Sequence, residues 1–190
     1  YLINETTTFN VVSVAGPFNN LFTPGGDSIH ASYEFFDKNH NFIHEFESRA
    51  RRHGHDSWAY PQKGFKIYPD DQSGVAHSFS NHQYFRTSPR DEFNVLLFKA
   101  AGSDNYDGGL TKSAHLRDAF AHTLAEKYNL DMDYRRYEPA IVFVNGQYWG
   151  VYELRERVDA DYFKYYYGIK EKHADNLRYW GGMITGPGTA

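Results

Sequence analysis

The 190-residue chain contains no cysteine and only two methionines. Disulfides, thiolate nucleophiles and zinc–thiolate sites are therefore all excluded. It also lacks any apolar run close to the roughly 20 residues that a membrane-crossing helix requires, so it is not expected to be transmembrane. No basic segment leads into an apolar one near the start, and there is no initiator Met; the chain reads as a processed piece with any export signal removed. Neither charge sign dominates. With 20 Lys and Arg against 24 Asp and Glu, the net charge of -4 offers no broad basic footprint, and no nucleic-acid partner is expected. The one dense basic stretch, Arg49, Arg51 and Arg52, is flanked by Glu47 and His53.

Aromatic residues are abundant instead: 16 Tyr and 15 Phe favour β-structure, where flat side chains pack on a half-buried pleated surface. Strand patterns appear at Phe9 to Val14, Ile29 to Phe36, Asn41 to Ala50, Lys63 to Tyr68 and Phe93 to Lys99. The clearest helix runs from about Ser113 to Tyr128, with Leu116, Phe120, Leu124 and Tyr128 forming a stripe and Thr111 or Ser113 as its cap. Asn145-Gly146 between two apolar runs specifies a hairpin with a type I′ turn. A second helix is expected from Asp159 to Tyr167, ended by Gly168. The order β-β-β-β-α-β-β-α indicates an α+β fold, an antiparallel sheet with helices packed on one side. One domain is expected over residues 1–182, with 1–28 as a flanking strand segment and 183–190 as a tail.

Four stretches, taken in order, resemble the CotH kinase-like family, named for a spore-coat kinase and widespread in bacterial exported proteins. His53 to Lys63 is similar to that family's Gly-x-x-Ser…Pro-x-Lys segment. Leu116-Arg117-Asp118-Ala119 opens the long helix. Val144 to Tyr152 forms the hairpin, and Glu153 to Asp159 leads into Tyr162-Phe163. The resemblance spans roughly residues 29–182. It implies the N-terminal portion of an atypical protein-kinase-like fold that binds ATP with magnesium. It also implies metal-holding aspartates further along than Ala190, so no catalytic or metal residue is assigned within the chain.

The residues themselves supply three cofactor-binding candidates, Lys63, Glu156 and Ser57. Strand parity sets Lys63 on the face of Phe65 and Ile67, where an apolar surrounding demands an anionic partner, a phosphate or a carboxylate. A lysine at a strand end also has the option of snorkelling to water. Glu156 shares parity with Tyr152 and Leu154, and as an acid ending an apolar face it is a partner for Lys63, in the way of the kinase Lys–Glu pair. A first-turn acid favoured by the following helix dipole is the other role open to it. In Gly54-His55-Asp56-Ser57, backbone N–H groups and the Ser57 hydroxyl are donors for phosphate, although the loop is no P-loop.

These readings lead to ATP-dependent phosphoryl transfer to protein Ser/Thr, by a domain incomplete in these 190 residues, secreted or at the cell surface or periplasm of a bacterium. The alternative is a cell-surface adhesion module without catalysis, its Tyr and Trp side chains forming a recognition patch for a host or cell-surface ligand. The sequence assigns no oligomeric state.

Overall fold

The computed structural model describes residues 7–23, 26, 28–54, 56–69, 78–105, 113–174, 176–177 and 183–185. Its main body is a closed barrel of seven strands: β1 (Asn10–Ala15), β2 (Ile29–Phe36), β3 (Phe42–Arg52), β4 (Phe65–Pro69), β5 (Leu96–Lys99), β6 (Tyr137–Val144) and β7 (Gln147–Arg155). They neighbour one another in the order β1-β2-β3-β4-β5-β7-β6. Two short helices accompany it, α1 (Arg117–Lys127) between β5 and β6 and α2 (Ala160–Tyr167) after β7. A small two-stranded sheet joins β8 (Asn176–Leu177) to β9 (Met183–Thr185).

This corrects the expected α+β fold, the antiparallel sheet with helices packed on one side in the manner of an atypical kinase-like N-terminal portion. The strands were readable, but their closure was not. β1 pairs antiparallel with β2 and parallel with β6, Val11 lying opposite Phe36 on one side and Ile141 on the other. The segment read as a flanking strand is thus the piece that joins the sheet's two ends. A parallel partner so distant in sequence leaves no mark on local alternation, which looks the same in a closed strand and in an edge strand.

Local patterns explain the individual strands. In β2, Ile29, Ala31, Tyr33 and Phe35 face the core while the intervening residues are half-buried or exposed. Phe65 of β4 and Phe98 of β5 lie directly opposite and stack at 4.7 Å, and Phe18 meets Phe65 edge-on at 4.9 Å. The β6–β7 turn is left-handed at both Asn145 (φ 49°) and Gly146 (φ 78°), as a type I′ hairpin demands.

Asn145 also fastens the closure. Its Oδ1 accepts from the Gly16 amide and its Nδ2 donates to the Gly16 carbonyl, both at 2.9 Å, while its own amide donates to the Val14 carbonyl at 2.8 Å. The hairpin tip is thereby clipped to the end of β1.

Helix α1 turns its expected apolar stripe outward. Leu116, Phe120 and Tyr128 are exposed, and the buried positions are Ala119 and Ala125. The reason is electrostatic as well as steric: small residues permit close approach, and the polar side chains on the inner side find buried partners on the barrel wall. Helix α2 follows its expected signals, with Asp159 accepting from the Tyr162 amide at 3.2 Å and Gly168 left-handed at its end.

The Asn145 clip yields a direct expectation. Asn145→Ala removes two side-chain hydrogen bonds and a residue suited to a left-handed turn, at a cost of about 1–3 kcal/mol. Urea denaturation followed by tryptophan fluorescence measures this loss; an unchanged midpoint means the clip contributes nothing to closure.

Candidate functional site

Strand β5 reads Leu96-Leu97-Phe98-Lys99, three buried apolar residues and then a half-buried lysine. Lys99 stands opposite Glu153 of β7, and Leu97 stands opposite Arg155. This patch of outer wall therefore carries Lys99, Glu153 and Arg155 together, and α1 lies across it.

Asp118, in the first turn of α1, pairs with both cations through one oxygen. Lys99 Nζ is 2.5 Å and Arg155 Nη2 is 2.8 Å from Asp118 Oδ2. Arg155 Nη1 donates to Glu153 Oε2 at 3.2 Å. The helix start is held by Asp104, whose carboxylate accepts from the Ala114 amide at 3.0 Å and the Arg117 amide at 3.1 Å and pairs with Arg117 Nη1 at 2.7 Å. The cap expected from Ser113 is not used: Leu116 occupies the N-cap and gives no side-chain bond. Thr111, the other expected cap, lies outside the described residues.

Beside the Lys99–Asp118 pair is a cavity of about 260 Å³, into which His53, Gly54, Ser57, Gly64, Gly102 and Asp104 also face. Glycine makes this cradle possible. A Cβ on Gly64 would sit 2.9 Å from the His53 carbonyl oxygen, and one on Gly102 would sit 2.7 Å from Ser57 Cβ. A Cβ on Gly54, whose φ is 111°, would run into Ser57 Oγ. His53 is clamped through its backbone, donating to the Gly64 carbonyl at 2.9 Å and accepting from Trp58 Nε1 at 3.2 Å.

The charges that act most on His53 and His122 are cationic, although the cavity lining itself sets Asp104 and Asp118 beside Lys99. Burial first, then the charges of Lys66, Arg135, Lys99 and Arg157, lower the pKa of His53 to about 4. Burial and then Arg155, Arg135 and Lys99 take His122 to about 4 as well, against the opposing pull of Asp118. Burial pushes Asp118 upward, but the Lys99 hydrogen bond and charge, with Arg155 and His122, hold it below the usual carboxylate range. Arg135 is lowered by burial and then by Arg155, so the guanidinium groups repel one another here.

Of the three residues singled out from sequence, Ser57 lies in this cavity, on the 3-10 turn Asp56–Ala59. Lys63 precedes β4 and donates through Nζ to the Tyr60 carbonyl at 2.8 Å. Glu156 is fully buried just past β7, where it pairs with Arg90 Nη1 at 3.1 Å and Arg136 Nη1 at 3.3 Å and accepts from the Tyr166 hydroxyl at 3.1 Å. Burial pushes its carboxyl above the usual range, partly offset by those two arginines. The expected Lys63–Glu156 pair is thus not formed. Tyr152 and Leu154 are in the core, but Glu153 and Arg155 of the other parity are buried as well, and parity did not reveal that two arginines meet Glu156.

Lys99 was missed. Its signal was a lysine closing the apolar run Phe93 to Lys99, immediately before the glycine-rich segment. Its partner Asp118 belongs to the helix-opening motif, but a strand-to-helix pairing has no period that a sequence can display. Among the described residues, no group of three or more His, Cys, Asp or Glu is arranged to hold a metal ion, and no role in binding magnesium is assigned to any of them.

Residues 50–180 match the sequence model of the family described as CotH kinase protein, and the chain belongs to that family. The matched stretch takes in β4 to β7, both helices and every residue of the Lys99 cavity, whereas β1 and β2 precede it. No curated protein matches the chain.

Two expectations follow. Glu156→Ala leaves the buried Arg90 without its carboxylate and Arg136 with Glu126 alone, a loss of about 3–5 kcal/mol; a urea midpoint close to that of the parent protein argues against a structural role for Glu156. The second concerns pH. Burial and the charge of His82 also bring His44 to about 4. In the folded protein these three imidazoles stay neutral down to about 4, whereas in the unfolded chain each takes a proton near 6.5. The stability they contribute is complete above that upper value and is lost as the pH falls toward the lower one. Glu153 and Glu156, raised by burial, work in the opposite sense and moderate the fall. Urea midpoints should decline between about pH 6.5 and 4, and His53→Asn with His122→Asn should flatten the decline.

Proposed function

We propose that the cavity between β4, β5 and α1 receives the phosphate chain of ATP, as the phosphate-holding part of a phosphotransferase that acts on protein hydroxyl groups. The observation that carries this reading is Lys99 at the edge of a glycine-built cradle, with Lys66, Arg135 and Arg157 near enough to act on the same His53. Such a place has the features an oligophosphate requires: a flexible ammonium as a point charge, backbone close enough for N–H contact, and a field that favours anions. In this reading Lys99 holds a phosphate oxygen, and Ser57 with the Gly54 backbone donates from the opposite side. Lys63 and Glu156, engaged with Tyr60 and with two arginines, have no part in it. ATP supplies the transferable phosphoryl group; the cradle's task is to bind and orient it. Membership of the CotH kinase family supports kinase-related chemistry in general. Export to the cell surface or beyond belongs to the proposal through the family resemblance alone.

A second reading, a surface-binding module for a protein or host ligand, is favoured by one observation: Leu116, Phe120 and Tyr128 form an exposed apolar stripe on α1.

Isothermal titration with ATP and with inorganic tripolyphosphate separates the candidates. Lys99→Ala should weaken both ligands about 10- to 100-fold, the value of a charge-assisted hydrogen bond, while Lys63→Ala should leave both almost unchanged. The reverse order would return the phosphate site to Lys63, and equal affinity in all three proteins would remove nucleotide binding from this cavity.

A further inference from the structure

We infer that Asp118 is the resident anion on Lys99, and that Arg155 is a positioning residue that keeps Asp118 when a ligand phosphate takes Lys99. The inference rests on the reading of Lys99 as the phosphate-holding group. It assigns Asp118 a role opposite in sign to that of an acid that orients a phosphate-binding lysine.

The geometry is that of one acceptor shared by two donors. Lys99 and Arg155 both reach the same oxygen, Oδ2. Lys99 makes a directed hydrogen bond to it. Arg155 Nη2, though 2.8 Å away, makes none, and neither does Arg155 Nε. The lysine thus holds the better bond while the arginine waits with unused donors.

Burial decides which partner stays. The Arg155 side chain is 0% exposed, whereas Asp118 is 48% and Lys99 23% exposed. Arg155 is fixed in the wall, held by Glu153 through Nη1, and a buried guanidinium without a carboxylate is strongly unfavourable. Asp118 and Lys99 stand at the rim, where a change of side-chain torsion disturbs little packing. When a phosphate engages Lys99, Asp118 turns toward Nε and Nη2 of Arg155 and both charges remain paired. No carboxylate is then left facing the incoming anion unpaired. Without Arg155 the same exchange would set Asp118 against the phosphate, and like charges at close range oppose binding.

Titration with inorganic tripolyphosphate at low ionic strength tests the sign. Asp118→Asn removes the resident charge while keeping the shape, and affinity should rise about three- to tenfold. Arg155→Gln should weaken binding, and the Asp118→Asn/Arg155→Gln double variant should recover most of the loss. Thermal melts of each variant establish that it is folded; Asp118→Asn, at a half-exposed position, carries the test if Arg155→Gln does not fold. Affinity lost in Lys99→Ala but unchanged or reduced in Asp118→Asn overturns the inference and leaves the phosphate reading standing. Affinity unaffected by Lys99→Ala overturns both.

Discussion

Closure of the barrel rests on β1, which hydrogen-bonds to β2 on one side and to β6 on the other. Two ordinary antiparallel runs, β2 to β5 and β6 to β7, are made into one continuous wall by this strand and by the β5–β7 pairing. The second of those pairings sets Glu153 opposite Lys99 and brings Arg155 within reach of α1. The cavity therefore has no back wall of its own. Its charges are arranged by the same register that shuts the core, and the stacked Phe65–Phe98 pair lies on the inner face of the very strands that carry Lys66 and Lys99 outside.

Much of the fold was legible wherever the determining signal was local. Alternation located β2 and β3, the Asn145-Gly146 pair located the β6–β7 turn, and Asp159 with Gly168 bounded α2. What failed depended on partners far apart in the chain. Val12 and Val14 alternate with Ser13 in the same way whether β1 ends a sheet or closes one, so an open α+β arrangement was read where a barrel exists. The candidate site was legible to a similar depth. The Gly54–Ser57 loop and the Arg117-Asp118 motif were recognised, and both border the cavity. Lys63 and Glu156 were chosen by parity, which reports the side a residue faces but not which charges meet it there.

Helix α1 shows why a hydrophobic stripe was a poor guide to its packing. Its inner side is held by Asp118 on Lys99 and Arg155, and by Glu126 on Arg136 at 3.1 Å, around two buried alanines. Arg136 reaches on to Glu156, so one connected set of charges ties the helix, the end of β7 and the Arg90 loop together. Buried ion pairs of this kind add little net stability but heavily penalise any arrangement that separates them. The helix is thus oriented by charge, and its large apolar side chains are left facing outward.

The parallel pairing of Asn10 with Ala140 also has a meaning in time. A ribosome delivers β1 and β2 long before it delivers β6, and the loop that must close to join them is most of the domain. Contacts of such long sequence separation form late and slow the folding reaction. Throughout that interval the nascent chain carries an unsatisfied edge on β1, rich in valine and next to aromatic strands, which is a template for pairing with another chain. The finished barrel hides that edge completely, so the hazard belongs to synthesis and refolding rather than to the native protein.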